Sequence, residues 1–235
     1  MPMGDNLYLL RDGTRIRTIS KPFCNRCGKP ISEGYMKCYD RYGINDLLRI
    51  NAVGLYLKWH EDVPDSVSIC DDYPTNKAVL KLKTDRGQAE VLGDCMVDML
   101  ESEYRNLKEI ELIVPVPEGT TVRGFNQSAL LAKYISDNVG MTFKDILLDK
   151  GKKSPQHLTP YNEKEKNVEG TIECKEDLGG KSVLLIDDVC TSGFTLKECA
   201  SVLRKYGAGE IRKFVFAKEA SIKHILFINQ GDKYL

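Results

Sequence analysis

The chain is poor in histidine and tryptophan and has no excess of either charge. Its histidines, His60, His157 and His224, leave few possible members for a histidine-based catalytic triad. The single tryptophan, Trp59, stands near Tyr56 beside a β-like stretch, where a core or interface position is a commoner role than base stacking. With 34 basic and 34 acidic residues the formal net charge is zero. No long-range field therefore draws the protein onto nucleic acid or anionic lipid, and any anion site must be local. No apolar run approaches the ~20 residues of a membrane span. The stretch MPMGDNLYLLRDGTR lacks a basic start and a sustained apolar core, so it does not read as a signal peptide and the expected location is cytoplasmic. In that compartment the eight cysteines are expected as thiols or metal ligands rather than disulfides. There is no internal repeat and no low-complexity segment. No G-x-G-x-x-G follows a strand-like run. The GGKS at Gly179–Ser182 precedes a strand and would need its first glycine where Lys175 stands.

A length of 235 residues at 42% hydrophobic content fits one domain with an appendage, or two small domains. The pattern changes near residue 73, which divides the chain into 1–72 and 73–235. The first part is the less regular. It holds a cysteine cluster, CNRCGKPISEGYMKC, a β-like LLRINAVGLYLKW, and SVSIC at Ser66–Cys70, which reads as a short strand. From residue 73 strand and helix patterns alternate. QAEVLGDCMVDMLES has apolar residues at helical spacing, and IELIVPVP reads as a strand closed by prolines. NQSALLAKYISDNVG reads as a helix between an Asn126 N-cap and Gly140. Thr159-Pro160 reads as a cap and N1 proline opening a short helix. KSVLLIDD, IRKFVFA and HILFI read as strands, with the helix FTLKECASVLRKY after the first of them. The alternation predicts an α/β fold with a mainly parallel sheet flanked by helices.

The most informative stretch is VLLIDDVCTSGFT, Val183–Thr195. Four consecutive apolar residues read as a strand buried on both faces. Two carboxylates at its end are costly to bury unless they sit at an opening and have a partner. In open parallel sheets ligands bind beyond the carboxyl ends of the strands. The following Thr191, Ser192, Gly193, Phe194 and Thr195 supply hydroxyls, backbone N–H groups and a helix N-terminus suited to phosphate. Asp187 and Asp188 cannot hold phosphate, because like charges repel, but they can accept hydrogen bonds from two neighbouring hydroxyls. A diol beside a phosphate describes a ribose 5-phosphate. The plainer reading is an Asp-Asp helix cap at a strand–helix turn.

This stretch resembles the phosphoribosyl-pyrophosphate (PRPP) motif of the type I phosphoribosyltransferases, with Cys190 where that family usually has an aliphatic residue. VPVPEGTTVRGFNQSALLAKYI and SPQHLTPYNEKEKNVEGTIEC resemble the ComF-like, competence-associated branch, with Lys166 where arginine is more usual. The resemblance covers about residues 73–218. It implies a type I phosphoribosyltransferase fold that transfers the phosphoribosyl group of PRPP, with Mg²⁺, to an unknown acceptor such as a nucleobase. It assigns the pyrophosphate loop to Glu118, Gly119, Thr120, Thr121 and Arg123, a short loop with few basic residues. It likens DKGKKSPQHL to a loop that closes over the reacting centre, which makes Lys152, Lys153 and Gln156 the candidate catalytic residues. For the lysines, a solvated basic turn is the competing reading.

ComF-like proteins also carry an N-terminal four-cysteine zinc module, and CNRCGKPI resembles its first half. The C-x-x-C of Cys24 and Cys27 suits one tetrahedral ion. Cys38 is the next candidate, and Arg41 stands where the family would place the fourth cysteine. Cys70, and after it His60, are the remaining candidates. The resemblance thus implies a zinc-ribbon-like segment over 1–72 that also serves as the hood selecting the acceptor. Cys95 and Cys199 lie on helical patterns and read as core. Two alternatives use the same fold: a non-catalytic PRPP or nucleotide sensor, and a DNA-handling protein whose zinc segment contacts single-stranded DNA, which the neutral charge does not favour. A homo-oligomer is compatible with either, and no membrane partner is expected.

Overall fold

The computed structural model describes residues 7–19, 50–102, 110–119, 124–151 and 168–222. Its centre is a five-stranded, all-parallel sheet in the order β3-β9-β8-β4-β5. The strands are β3 (Asn51–Lys58), β4 (Leu112–Pro115), β5 (Thr142–Phe143), β8 (Val183–Cys190) and β9 (Ile211–Ser221). The apolar run of β8 explains its central place: Val183, Leu184, Leu185 and Ile186 are all fully buried between β4 and β9. Phe214 to Ala217 of β9 are equally buried. Two antiparallel ribbons lie outside this sheet. They are β1 (Leu7–Leu9) with β2 (Arg15–Arg17), and β6 (Leu147–Asp149) with β7 (Ile172–Cys174). The first is joined to β3 by a bridge between Thr18 and Gly54.

The helices are α1 (Ser66–Asp72), α2 (Pro74–Leu82), α3 (Gln88–Ser102), α4 (Gln127–Val139) and α5 (Phe194–Lys205). On α3 the buried Leu92, Cys95, Met96, Met99 and Leu100 fall at helical spacing and form one core-facing stripe. Its Gly93 allows α4 to come close, since a Cβ there would lie 2.3 Å from Cδ1 of Tyr134. Asn126 caps α4 as its sequence predicts: its side chain accepts from the Ser128 and Ala129 amides, and Gly140 ends the helix.

SVSIC is helix, not strand. Its alternation fits a strand, but Val67 and Ile69 are exposed while Ser66 and Cys70, one helical turn apart, are buried. Tyr73 then turns extended before Pro74, which separates α1 from α2 and opens the latter. Trp59 is 55% exposed and so is not core, whereas Cys95 and Cys199 are fully buried. β3 precedes residue 73 and is nevertheless an edge strand of the main sheet, beside β9. HILFI and Thr159-Pro160 lie outside the described residues.

Candidate functional site

β8 carries Asp187 and Asp188 towards the carboxyl edge of the sheet and runs on to Cys190. There the chain turns through Thr191–Gly193 into α5. Gly193, at φ 81°, takes the left-handed conformation immediately before the helix, which glycine adopts without strain. On the neighbouring side β4 ends at Pro115, and the loop that follows reaches α4, whose first turn faces Asp187. A cleft of about 180 Å³ lies between Pro117–Gly119, Asn126–Ser128 and the two aspartates.

The two carboxylates are not equivalent. Asp187 is held from two sides: Ser128 Oγ donates to its Oδ1 at 2.8 Å, and the Asp188 amide donates to the same oxygen at 3.1 Å. Burial, then the neighbouring charge of Asp188, hold its carboxyl well above the usual carboxylate range, against the opposing pull of the Ser128 hydrogen bond. Asp188 Oδ1 accepts from the Val189 amide at 2.7 Å. The loop after β4 is itself tied down. Asn126 Nδ2 donates to the Val116 carbonyl at 2.9 Å, so the residue that caps α4 also closes the loop. Arg86, from the turn before α3, donates to the Gly124 carbonyl at 2.9 Å and lies 5.0 Å over the Phe125 ring. This fixes Gly124 and Phe125 just ahead of Asn126 in the cleft wall.

The structure thus brings together Asp187, Asp188, Glu118 and Gly119 around one cleft, with Thr191–Thr195 continuing from the same strand end. Thr120, Thr121, Arg123, Lys152, Lys153, Gln156, Cys24, Cys27 and Cys38 lie outside the described residues. Cys70 is described: it is buried on α1 beside Leu57 and Ile222, and burial pushes its thiol up, away from the thiolate a metal needs. Among the described residues no group of three or more His, Cys, Asp or Glu is placed to hold a metal ion. Ser128 and Arg86 were not singled out by the sequence. The first follows an N-cap and looks like an ordinary first-turn serine. The second sits in a charged turn far along the chain from Gly124. Gln127, in the R-G-F-N-Q motif, adds to the cleft wall a buried Nε2 that has no partner among the described residues.

The chain is 27% identical over 164 residues to an adenine phosphoribosyltransferase of Mycoplasma mobile, covering 69% of this chain and 85% of that protein. It is 30% identical over 239 residues to Competence protein F of Haemophilus influenzae, covering 91% of this chain and 93% of that one. The crystal structure of a purine phosphoribosyltransferase from Pyrococcus horikoshii aligns with a TM-score of 0.36 at 19% identity, covering 55% of this chain and 87% of that one. The model of the phosphoribosyl transferase domain matches residues 105–225, a span that holds the aspartate pair and both loops of the cleft, and the chain belongs to that family.

Proposed function

We propose that the protein is a ComF-like phosphoribosyltransferase. It binds PRPP with Mg²⁺ and transfers the phosphoribosyl group to a nitrogen acceptor, a nucleobase or related compound, with release of pyrophosphate. The observation that carries this reading is the Asp187–Asp188 pair at the end of the central strand, facing the first turn of α4 across the cleft and continuing into the Thr191–Gly193 turn. The carboxylates accept from the ribose hydroxyls, and Ser128 keeps Asp187 oriented for this. Thr191 to Thr195 receive the 5-phosphate at the start of α5. Residues 118–123 take the pyrophosphate, and Lys152, Lys153 and Gln156 cover the reacting carbon and exclude water. Leaving-group departure develops positive charge on the ribose ring, as in glycosyl transfer generally, so the chain's task is geometric and needs no histidine base.

The residues present fit a divalent cation that enters with its ligand. Asp187, Asp188 and Glu118 line one cleft, and a cation there would favour the ionised form of Asp187 that burial and the charge of Asp188 oppose. Asp187 and Asp188 would help hold Mg²⁺, mostly ligated by PRPP oxygens, and it would neutralise the departing pyrophosphate. We extend the proposal to one zinc ion on Cys24, Cys27 and Cys38 with Cys70 as the fourth ligand. A second reading, PRPP binding without turnover, is favoured by Glu118, a carboxylate where pyrophosphate would sit. Calorimetric titration with PRPP and Mg²⁺, followed by pyrophosphate release with a panel of bases, separates them. Binding with release supports transfer, binding alone supports a sensor, and absence of PRPP binding overturns both.

A further inference from the structure

The turn that receives the phosphate in this reading carries no cationic side chain: Thr191, Ser192, Gly193, Phe194 and Thr195 are all uncharged. A cation lies beneath it. Lys218, near the end of β9 and 7% exposed, is the register partner of Cys190. Its Nζ donates to the Cys190 carbonyl at 3.2 Å and to the Thr191 carbonyl. Among the described residues no carboxylate pairs with it; the adjacent Glu219 pairs with Lys58 instead. A buried ammonium held, among the described residues, by two main-chain carbonyls of the loop directs its charge at that loop.

The contact has a geometric consequence. A trans peptide unit sets its N–H opposite its C=O. With the carbonyls of Cys190 and Thr191 both turned down onto Lys218, the N–H groups of Thr191 and Ser192 are turned the other way, on the same side of the chain. Among the described residues the amides of Thr191, Ser192 and Gly193 donate to nothing. Successive free N–H groups on one side, before a helix N-terminus, form a concavity that fits an anion.

We propose that Lys218 is the positioning residue of the phosphate cradle. It turns two loop carbonyls inward so that the Thr191 and Ser192 amides face the 5-phosphate, and it supplies from below the positive charge that the loop lacks. This rests on the phosphoribosyl reading and deepens it by naming what shapes the phosphate half of the site. It does not concern the pyrophosphate half, which belongs to residues 118–123.

The test uses the full chain, Lys218→Met, and two probes: ribose 5-phosphate, and pyrophosphate with Mg²⁺. The variant is expected to bind ribose 5-phosphate about 10- to 100-fold more weakly, with pyrophosphate affinity unchanged. Equal weakening of both probes marks a general structural role and overturns the proposal, as does unchanged affinity for ribose 5-phosphate. If the variant does not fold, the wild type still decides: ribose 5-phosphate should shift the Thr191 and Ser192 amide resonances, and binding that leaves both in place overturns the proposal. Failure of the wild type to bind ribose 5-phosphate overturns the phosphoribosyl reading instead.

Discussion

Lys213→Met should make the protein more stable at neutral pH. Lys213 lies on β9 with 2% exposure, and among the described residues its Nζ has no hydrogen-bond partner. Burial pushes its ammonium from 10.5 down to about 8. The thiols of Cys190 and Cys199 act in the opposite direction, and Arg204 and Lys197 add to the effect of burial. Because the pKa is lower in the folded state, folding disfavours the charged form. Below pH 8 the amine is charged in both states and the full penalty applies; above pH 10.5 it is neutral in both and the penalty is gone. Between these limits the unfolded chain holds more protons, so this group makes stability rise with pH. At about 1.4 kcal/mol per tenfold, the displacement amounts to roughly 3 kcal/mol. Methionine has similar length and no charge, and removing an unpaired buried charge should recover most of that. For a chain of this size the gain corresponds to a Tm increase of roughly 6–12 °C at pH 7. The assay is denaturant unfolding of wild type and variant from pH 7 to pH 11. The difference should be largest below pH 8 and vanish near pH 10.5. A variant no more stable than wild type at pH 7, or a difference independent of pH, would refute the argument.

Asp187→Asn should weaken PRPP binding about 10- to 150-fold, the worth of a charge-assisted hydrogen bond of roughly 1.5–3 kcal/mol, while raising Tm, because it removes a buried charge pressed by Asp188. Titration calorimetry and melting read both, and unchanged affinity would make the pair a structural cap. Gly93→Ala should destabilise by about 1–3 kcal/mol, since its Cβ would meet Tyr134, which Asp94 holds by a hydrogen bond; an unchanged Tm would show that α3 and α4 separate freely. Protein purified without added metal should carry about one zinc equivalent that Cys24→Ser loses. Retention of zinc in Cys70→Ser would remove Cys70 from the ligand set.

The parts of the site that the sequence made legible are those whose grammar is local. Val183–Ile186 announce a central strand because only a strand buried on both faces tolerates four successive aliphatic residues, and β8 has that environment. Asn126 and Gly140 bracket α4 because capping is settled within a few residues of the helix end. SVSIC failed for the converse reason: over five residues an apolar alternation fits a strand, and only the burial of Ser66 and Cys70 distinguishes it. Contacts between distant segments leave no such trace. Nothing in NAVGLYLK names β9 as its partner. Ser128 reaches Asp187 across 59 residues, and Lys218 reaches Thr191 across 27. The two lysines of IRKFVFAK are both buried, one without a partner among the described residues and the other bonded to the loop. A charged residue inside a strand flanked by apolar residues is therefore a signal in its own right. A parallel strand this deep tolerates an ammonium only where something compensates or where stability is given up, and β9 holds one case of each.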